Sequence, residues 1–173
     1  MKSEFEYKSP SMLTGCASMA QQAVGWLIYA AQFIAPPVAR IALALPFFRS
    51  GLTRWDGFLQ LSPSASYLFE ELFKLHIFGG EYSIPFPAIV AFATGMAEIC
   101  LPILLILGLA TRLSALGLLL MTGVIQLVVP DGWANFHLYW AALALSIIAM
   151  GPGAISVDRQ ILARWFKLPN RLV

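Results

Sequence analysis

The sequence predicts an all-α integral membrane protein, a four-helix bundle with an N-terminal amphipathic helix and a short outer-surface helix between spans 1 and 2. Of its 173 residues, 59% are hydrophobic and only 12% are charged, and its mean hydropathy is +0.76. A soluble domain has about 45–50% apolar and about 25% charged residues. This chain therefore has more apolar surface than one small core would bury, and the lipid bilayer is its expected partner.

Four apolar segments are long enough to cross a bilayer, which takes roughly 20 residues at 1.5 Å per residue. Pro36 and Pro37 are expected to open the first span, since proline is tolerated in the first helical turn. The turns LGLATR and VPDGW are predicted to connect the later spans, and MGPG to end the last one. The predicted spans are Ala35–Trp55, Pro85–Leu109, Arg112–Val129 and Ala134–Met150.

The segment before Pro36 differs from the spans because its polar and small residues recur at helical spacing. An apolar face that includes Trp26 and Leu27 lies opposite them, and such a two-faced helix favours the membrane interface. A fifth span is the alternative, because the polar stripe is uncharged and a bundle would tolerate it. The stripe consists of Ser18, Gln21, Gln22, Gly25, Tyr29 and Gln32.

The distribution of Lys and Arg predicts the orientation, since cytoplasmic loops are enriched in both. Eight of the 11 fall on the side of the two termini, which predicts that both termini lie in the cytoplasm. The segment 60–84 then faces outward, and SYLFEELFKLHIF within it is predicted to form an amphipathic surface helix. The predicted divisions are a tail with the interfacial helix at 1–34, the bundle at 35–159 and a basic cytoplasmic tail at 160–173.

Several classes of function are not expected. The net charge of +2 with scattered basic residues gives no footprint for nucleic acid. Cys16 and Cys100 form no C-x-x-C pair, so neither a disulfide framework nor a dithiol relay is predicted. The chain has 2 histidines, too few for a zinc site built from three or four of them, and no metal is predicted.

Glu98 lies near the middle of the second span, where a charged group is costly unless it is paired. Thr94, Gly95 and Pro102 share its helical face, and the small residues there would let a neighbouring helix approach. Arg54 is the predicted partner, reaching from the outer end of the first span, and Arg49 is the alternative.

Other polar side chains are predicted in the same outer half of the bundle. Gln126 lies near the outer end of the third span. On the fourth span, Trp133, His137 and Trp140 recur at i, i+4 and i+7 and form a single stripe on the helix. Their convergence predicts a pocket that has Glu98 as its floor and opens outward or sideways into lipid. A purely structural role is the alternative, since an intramembrane ion pair can serve only to fix helix register and tryptophans often anchor at interfaces. The pocket residues are Glu98, Arg54, Gln126, Trp133, His137 and Trp140, with Arg49 in reserve.

Three segments resemble the DoxX family of small bacterial membrane proteins, namely ARIALALPFFRSGLTRW, MAEICLPILLILGLATRLSALGLLL and GPGAISVDR. The similarity covers roughly Ala35 to Arg159. Gly151 and Gly153 are expected to end the last span, and Asp158 to cap the cytoplasmic helix that follows. The marks of the family are Gly51 with Arg54, Glu98, Gly108 to Arg112, the closing Gly-Pro-Gly and Asp158.

The resemblance implies a membrane subunit of a redox or stress-response system, because the family is named for a subunit linked to thiosulfate:quinone oxidoreductase. An accessory role would place a quinone in the outer pocket, next to a periplasmic or membrane redox partner protein. Arg54 and His137 would donate hydrogen bonds, Glu98 would carry protons and Trp140 would stack. Gln126 and Arg49 complete the predicted cofactor-binding set.

The outer segment supports an alternative function. LFEELFKLHIFGGEYSIP resembles a subgroup encoded beside enzymes that modify small copper-binding peptides. That resemblance implies a non-catalytic membrane anchor or assembly factor for a periplasmic partner, in which the Glu98–Arg54 pair is only structural.

Overall fold

A computed structural model describes residues 12–166, and the side chains within that range except those of 12–16, 162, 163, 165 and 166. Residues 1–11 and 167–173 of the predicted tails lie outside it. Two antiparallel hairpins join the first long helix to the next, β1 (Trp55–Gly57) with β2 (Gln60–Leu61) and β3 (Lys74–Ile77) with β4 (Gly80–Ser83). The helices are α1 (Met12–Leu52), α2 (Pro63–Tyr67), α3 (Pro87–Leu107), α4 (Thr111–Val128), α5 (Leu138–Met150) and α6 (Val157–Phe166).

The predicted four-span helical architecture is confirmed. In the part of the chain that the structure describes, 4 helical stretches are long and apolar enough to cross a membrane. They are Ala17–Leu52, Pro87–Leu107, Thr111–Val128 and Pro130–Met150. Their buried faces meet in one core, formed by Leu43, Ala44, Phe47, Leu105, Ala115, Leu118, Ala144 and Ile147.

Helix α1 departs from the predicted boundaries. It is one helix of 41 residues, and Pro36 and Pro37 lie inside it rather than at its start. Pro36 is buried against Gly153, where the backbone φ of +78° brings the chain after α5 close to α1. This packing supports the helix where proline weakens its hydrogen bonding. The predicted N-terminal helix is present, but it continues directly into the first span without a break. Residues 17–35 of this helix are exposed on every face.

The long helices are offset along the bundle axis. Gly51, near the outer end of α1, packs against the backbone of Glu98 in the middle of α3. The part of α3 from Pro87 to Ala97, about 16 Å at 1.5 Å per residue, therefore extends past α1. The outer segment 53–86 packs along this part of α3, where the rings of Trp55 and Phe92 meet edge to face at 5.4 Å.

The predicted outer helix is right only in its first half. It begins at Ser62, whose Oγ accepts a hydrogen bond from the Ala65 N–H at 3.2 Å, and continues as a π-helical turn at Leu68–Leu72. The prediction of a helix at residues 74–77 is wrong, because they form β3. Phe78 and Gly79 both have positive φ, 49° and 82°, as the two central residues of a type I′ hairpin turn require.

Asp158 closes the inner end of the bundle. Its Oδ1 accepts from the Ala110 N–H at 2.7 Å, and its Oδ2 accepts from the N–H and the hydroxyl of Thr111 at 2.8 and 2.7 Å. The carboxylate thus caps α4, whose first N–H groups have no acceptor within the helix. The prediction that Asp158 caps the following helix is wrong. Ser156 has that role, with its Oγ accepting from the Arg159 N–H at 3.2 Å.

The predicted end of the last span is confirmed. Helix α5 ends at Met150, and Gly151 follows with a φ of +82°, a conformation that residues with a Cβ rarely adopt. The buried Arg40 of α1 donates to the carbonyl of Ile155 just beyond this turn, which ties α1 to the chain between α5 and α6.

Candidate functional site

Two glycines bring α1 and the chain after it close to α3 at the depth of Glu98. A Cβ on Gly51 would lie 2.9 Å from the carbonyl carbon of Glu98, and one on Gly95 would lie 2.9 Å from Cζ2 of Trp55. Real Cβ atoms essentially never lie this close to another heavy atom, whether it belongs to the backbone, as in Glu98, or to a side chain, as in Trp55. The small residues therefore set the separation at which Arg54 reaches Glu98.

Glu98 and Arg54 form the predicted ion pair. Nε of Arg54 donates to Oε2 at 3.0 Å and Nη2 donates to Oε1 at 3.3 Å, so the contact is bidentate. The Ser50 hydroxyl also donates to Oε1, at 3.2 Å. The side chains are only 3% and 11% exposed for Glu98 and Arg54. This charged group is therefore almost completely withdrawn from solvent and has hydrogen-bond partners on both carboxylate oxygens.

An aromatic ring covers the guanidinium from the outer side. Cζ of Arg54 lies 5.2 Å from the centroid of the Phe69 ring, within the range of a cation–π contact. Phe69 is itself buried and stacks edge to face on Phe73 at 5.1 Å. The outer segment thus shields the ion pair from the aqueous phase while Arg54 retains N–H groups that do not bond to Glu98.

The ion pair lies in the wall of a cavity of about 640 Å³. Ser50, Arg54, Thr94 and Glu98 form its polar part, and most of the remaining lining is aliphatic or aromatic. Several lining residues on the candidate membrane spans α3 and α4 are exposed on the surface of the described chain. These exposed residues are Ala93, Leu120 and Val124. The roof is formed by Phe69, Phe73, Leu75, Ile84 and Pro85, and Trp140 contributes from α5.

His137 and Gln126 pair with each other and are not among the residues that line the cavity. Nε2 of Gln126 donates to the Pro130 carbonyl at 2.9 Å, which turns its Oε1 toward Nδ1 of His137 at 2.6 Å. Since that oxygen only accepts, Nδ1 carries the proton. The His137 ring contacts Trp140 at 5.4 Å between centroids, so the pair supports the cavity wall from behind.

The remaining predicted pocket residues lie elsewhere. Trp133 is about half exposed and does not line the cavity, because a π-helical turn at Trp133–His137 changes the register on which the i, i+4, i+7 stripe depended. Arg49 is exposed on α1, and it is Arg54 that bonds to Glu98. The predicted convergence thus holds for Arg54, Glu98 and Trp140.

Two site residues were missed by sequence reasoning. Ser50 lies one helical turn before Arg54, and this i, i+4 spacing would have placed both on one face. Phe69 carried no local signal, because its contact with Arg54 depends on how the outer segment folds back.

These features define a multi-pass helical membrane protein with a buried ion pair beside a largely apolar cavity. The chain belongs to the DoxX family, whose model matches residues 35–131, more than half of its length. The match includes Gly51, Arg54, Glu98 and Gln126 and ends before His137. Neither the curated proteins nor the solved structures include a match to the chain.

Because Gly51 packs closely against Glu98, alanine should lower stability at Gly51 but not at a glycine that has no close neighbour. Gly51→Ala should weaken the bundle, because the new methyl group would overlap the Glu98 backbone and separate Arg54 from the carboxylate. Gly123→Ala is the matched control on α4, where nothing lies within 4 Å of the added methyl group. Alanine is favoured over glycine in a helix by about 1 kcal/mol, so the control should be neutral or stabilising. Thermal unfolding in detergent measures both, and equal melting temperatures would contradict the close packing.

Proposed function

We propose that this protein is an inner-membrane subunit of a redox or stress-response system that binds a quinone-like molecule in its outer cavity. DoxX-family proteins are often associated with redox or stress systems. The observation that carries the proposal is the bidentate Arg54–Glu98 pair in the wall of an otherwise apolar cavity of about 640 Å³. Buried ionisable groups within a membrane are expensive and commonly mark functional sites.

The chemistry of the lining favours a ligand with one polar end and an apolar body. Arg54 has donor capacity beyond its two bonds to Glu98, so it would orient a carbonyl oxygen placed beside it. Glu98 would hold or release a proton at the same place. Trp140 would present its ring to a planar head group. A bound quinone would supply the redox chemistry.

In this proposal His137 has a different part from the one its sequence position predicted. It would position Trp140, which its ring contacts, and its own ring is held by the hydrogen bond to Gln126. His137→Phe keeps the ring volume but removes the hydrogen bond, so it should weaken activity less than loss of Arg54.

Replacement of both charged residues tests the proposal. Arg54→Met together with Glu98→Leu leaves no unpaired ion, and such exchanges of a buried pair are often neutral or stabilising. The double variant should therefore fold and reach the membrane, yet fail to complement a deletion strain. Protein level and melting temperature, recorded in parallel, separate a loss of function from a loss of protein. Full complementation would show that the pair only fixes the packing of the helices, and it would contradict the proposal that the cavity is a functional site.

The orientation of the chain is part of the proposal, with both termini in the cytoplasm. Ser64→Cys, on the outer segment, should react with an impermeant thiol reagent in intact spheroplasts of a strain that expresses an otherwise cysteine-free protein. Gln160→Cys, exposed on α6, should react only after the membrane is opened. Equal labelling of both positions in intact spheroplasts would contradict this orientation.

The exposed stretch 17–35 of α1 favours a second candidate function, assembly of a partner protein. It carries large exposed apolar side chains that no other part of the described chain covers, among them Trp26 and Leu27. If assembly is the role, Trp26→Ser with Leu27→Ser should abolish complementation while the Arg54→Met, Glu98→Leu variant retains it. The reverse result supports the cavity.

A further inference from the structure

Three of the most exposed phenylalanines in the described chain lie in the outer segment. Phe58 is 92% exposed, Phe78 is fully exposed and Phe86 is 76% exposed. Phe58 and Phe78 belong to the turns of the two hairpins, and Phe86 directly precedes α3. Exposed aromatic rings of this size are unfavourable in water, so the group calls for an apolar surrounding.

The backbone holds these rings outward. Phe78 and Phe86 have φ of 49° and 50°, and Leu59, next to Phe58, has φ of 55°. Residues with a bulky side chain seldom adopt this left-handed region. These unusual conformations lie at or next to the three phenylalanines, and exposure of 76% or more shows that none of the rings is folded into the core.

Contacts with the spans place all three rings near the outer edge of the bilayer. Helix α3 has 21 residues, about 31 Å, which matches the hydrocarbon thickness of about 30 Å, so Phe86 lies at its outer boundary. Nδ1 of His76 donates to the Leu127 carbonyl in the last turn of α4 at 3.2 Å. Phe78 is two residues further along the strand, about 7 Å away.

The neighbours of Phe58 in the chain also place its ring near the outer edge of the bilayer. Trp55 packs on Gly95 and Phe92 in the outer half of α3. Phe58 lies three residues beyond Trp55, about 10 Å of extended chain, so it too stays within reach of the interface. Asp56 in the same hairpin limits the insertion to a shallow depth, because its carboxylate has to remain among the head groups.

We propose that Phe58, Phe78 and Phe86 insert into the outer leaflet at the boundary between head groups and acyl chains, and that they anchor the outer segment there. The bilayer is favoured as occupant because this surface continues the lipid-facing surface of α3 and α4. The anchored β3–β4 hairpin carries Leu75 and leads to Ile84 and Pro85, which roof the cavity. The anchor does not depend on what the cavity binds.

Site-specific fluorescence tests the anchor without any assay of activity. Single cysteines replace Phe58, Phe78 or Phe86 in the full chain without its own Cys16 and Cys100, and each carries an environment-sensitive fluorophore. Glu71→Cys is the matched control, since it is exposed in the same outer segment. The labelled proteins are reconstituted in vesicles of phosphatidylethanolamine and phosphatidylglycerol, with lipids that carry a nitroxide near the head group or iodide in the water as quenchers.

Labels at the three phenylalanine positions should be quenched by the nitroxide lipid about three-fold more than the label at position 71, and should be shielded from iodide, as expected for shallow insertion. Circular dichroism and melting temperature confirm that each variant folds. The proposal is overturned if the three labels are as accessible to iodide as the control. That result would leave the rings as a docking surface for a periplasmic protein.

Discussion

Arg54→Ala is expected to destabilise the bundle strongly and Glu98→Gln only moderately. The alanine removes both guanidinium hydrogen bonds and leaves the Glu98 carboxylate with the Ser50 hydroxyl alone, at a side-chain exposure of 3%. Breaking one side of a buried ion pair costs about 3–5 kcal/mol in soluble proteins. The amide of Glu98→Gln still offers an oxygen to Arg54, whose guanidinium borders the open cavity and the Phe69 ring.

The measurement is the free energy of unfolding in mixed micelles, titrated with a denaturing detergent. Exchanging the two charges, with Arg54→Glu and Glu98→Arg in one chain, gives a sharper test of direct pairing. The double exchange should recover part of the loss that each single exchange causes, since the attraction is restored although the geometry differs. A double exchange no more stable than either single one would show that the residues do not stabilise each other directly.

The Arg54–Glu98 pair was predictable from the sequence because it depends on short-range spacing. Arg40, Phe47 and Arg54 follow in heptad steps, although α1 ends at Leu52 and Arg54 lies in the turn after it. Thr94 and Gly95 place Glu98 on the face of α3 that packs inward. An acid in an apolar helix restricts its partners to the few cations at the same depth. The contact itself is thus largely set by charge and periodicity, whereas the role of the pair in function is not.

The sequence could not predict where α1 begins or how the outer segment folds. Pro36 and Pro37 commonly start a helix, yet Pro36 packs on Gly153, a residue distant in the chain. Residues 74–77 continue the amphipathic helical pattern of the residues before them, yet the turn at Phe78 and Gly79 pairs them with β4. In both cases a distant or neighbouring element outweighs a local pattern.

The size and the roof of the cavity could not be predicted from the sequence, because both depend on how distant parts of the chain pack together. Its volume arises because α1 ends beside Glu98 while α3 continues outward, so the offset between two helices decides how much space remains. The roof over this space is an irregular segment, and Phe69 reaches Arg54 only after that segment folds back. Hydrophobic patterns give the existence of the spans but not their relative depth.

Asp158→Ala is the second substitution with a large expected effect, although the residue is far from the cavity. Its carboxylate accepts three hydrogen bonds from Ala110 and Thr111, and at least one of these N–H groups would be left without an acceptor. Hydrogen bonds to a charged group contribute about 1.5–3 kcal/mol each. Water reaches this partly exposed inner end and replaces some of them, so a loss of about 3 kcal/mol is expected.

Two smaller substitutions isolate the cause of that loss. Thr111→Val removes only the hydroxyl bond to Asp158 and should cost about 1.5 kcal/mol, the lower end of the range for a bond to a charged group. Ser156→Ala removes the cap of α6, which should cost about 1 kcal/mol, and leaves the start of α4 intact.

Hydrogen exchange should accelerate at the first residues of α4 in Asp158→Ala but not in Ser156→Ala. The capping role would be wrong if Asp158→Ala were no more destabilising than Thr111→Val, or if exchange at Ala110 and Thr111 were unchanged. A double-mutant cycle between Asp158 and Thr111 then measures their coupling, which should be positive since the two side chains are in direct contact.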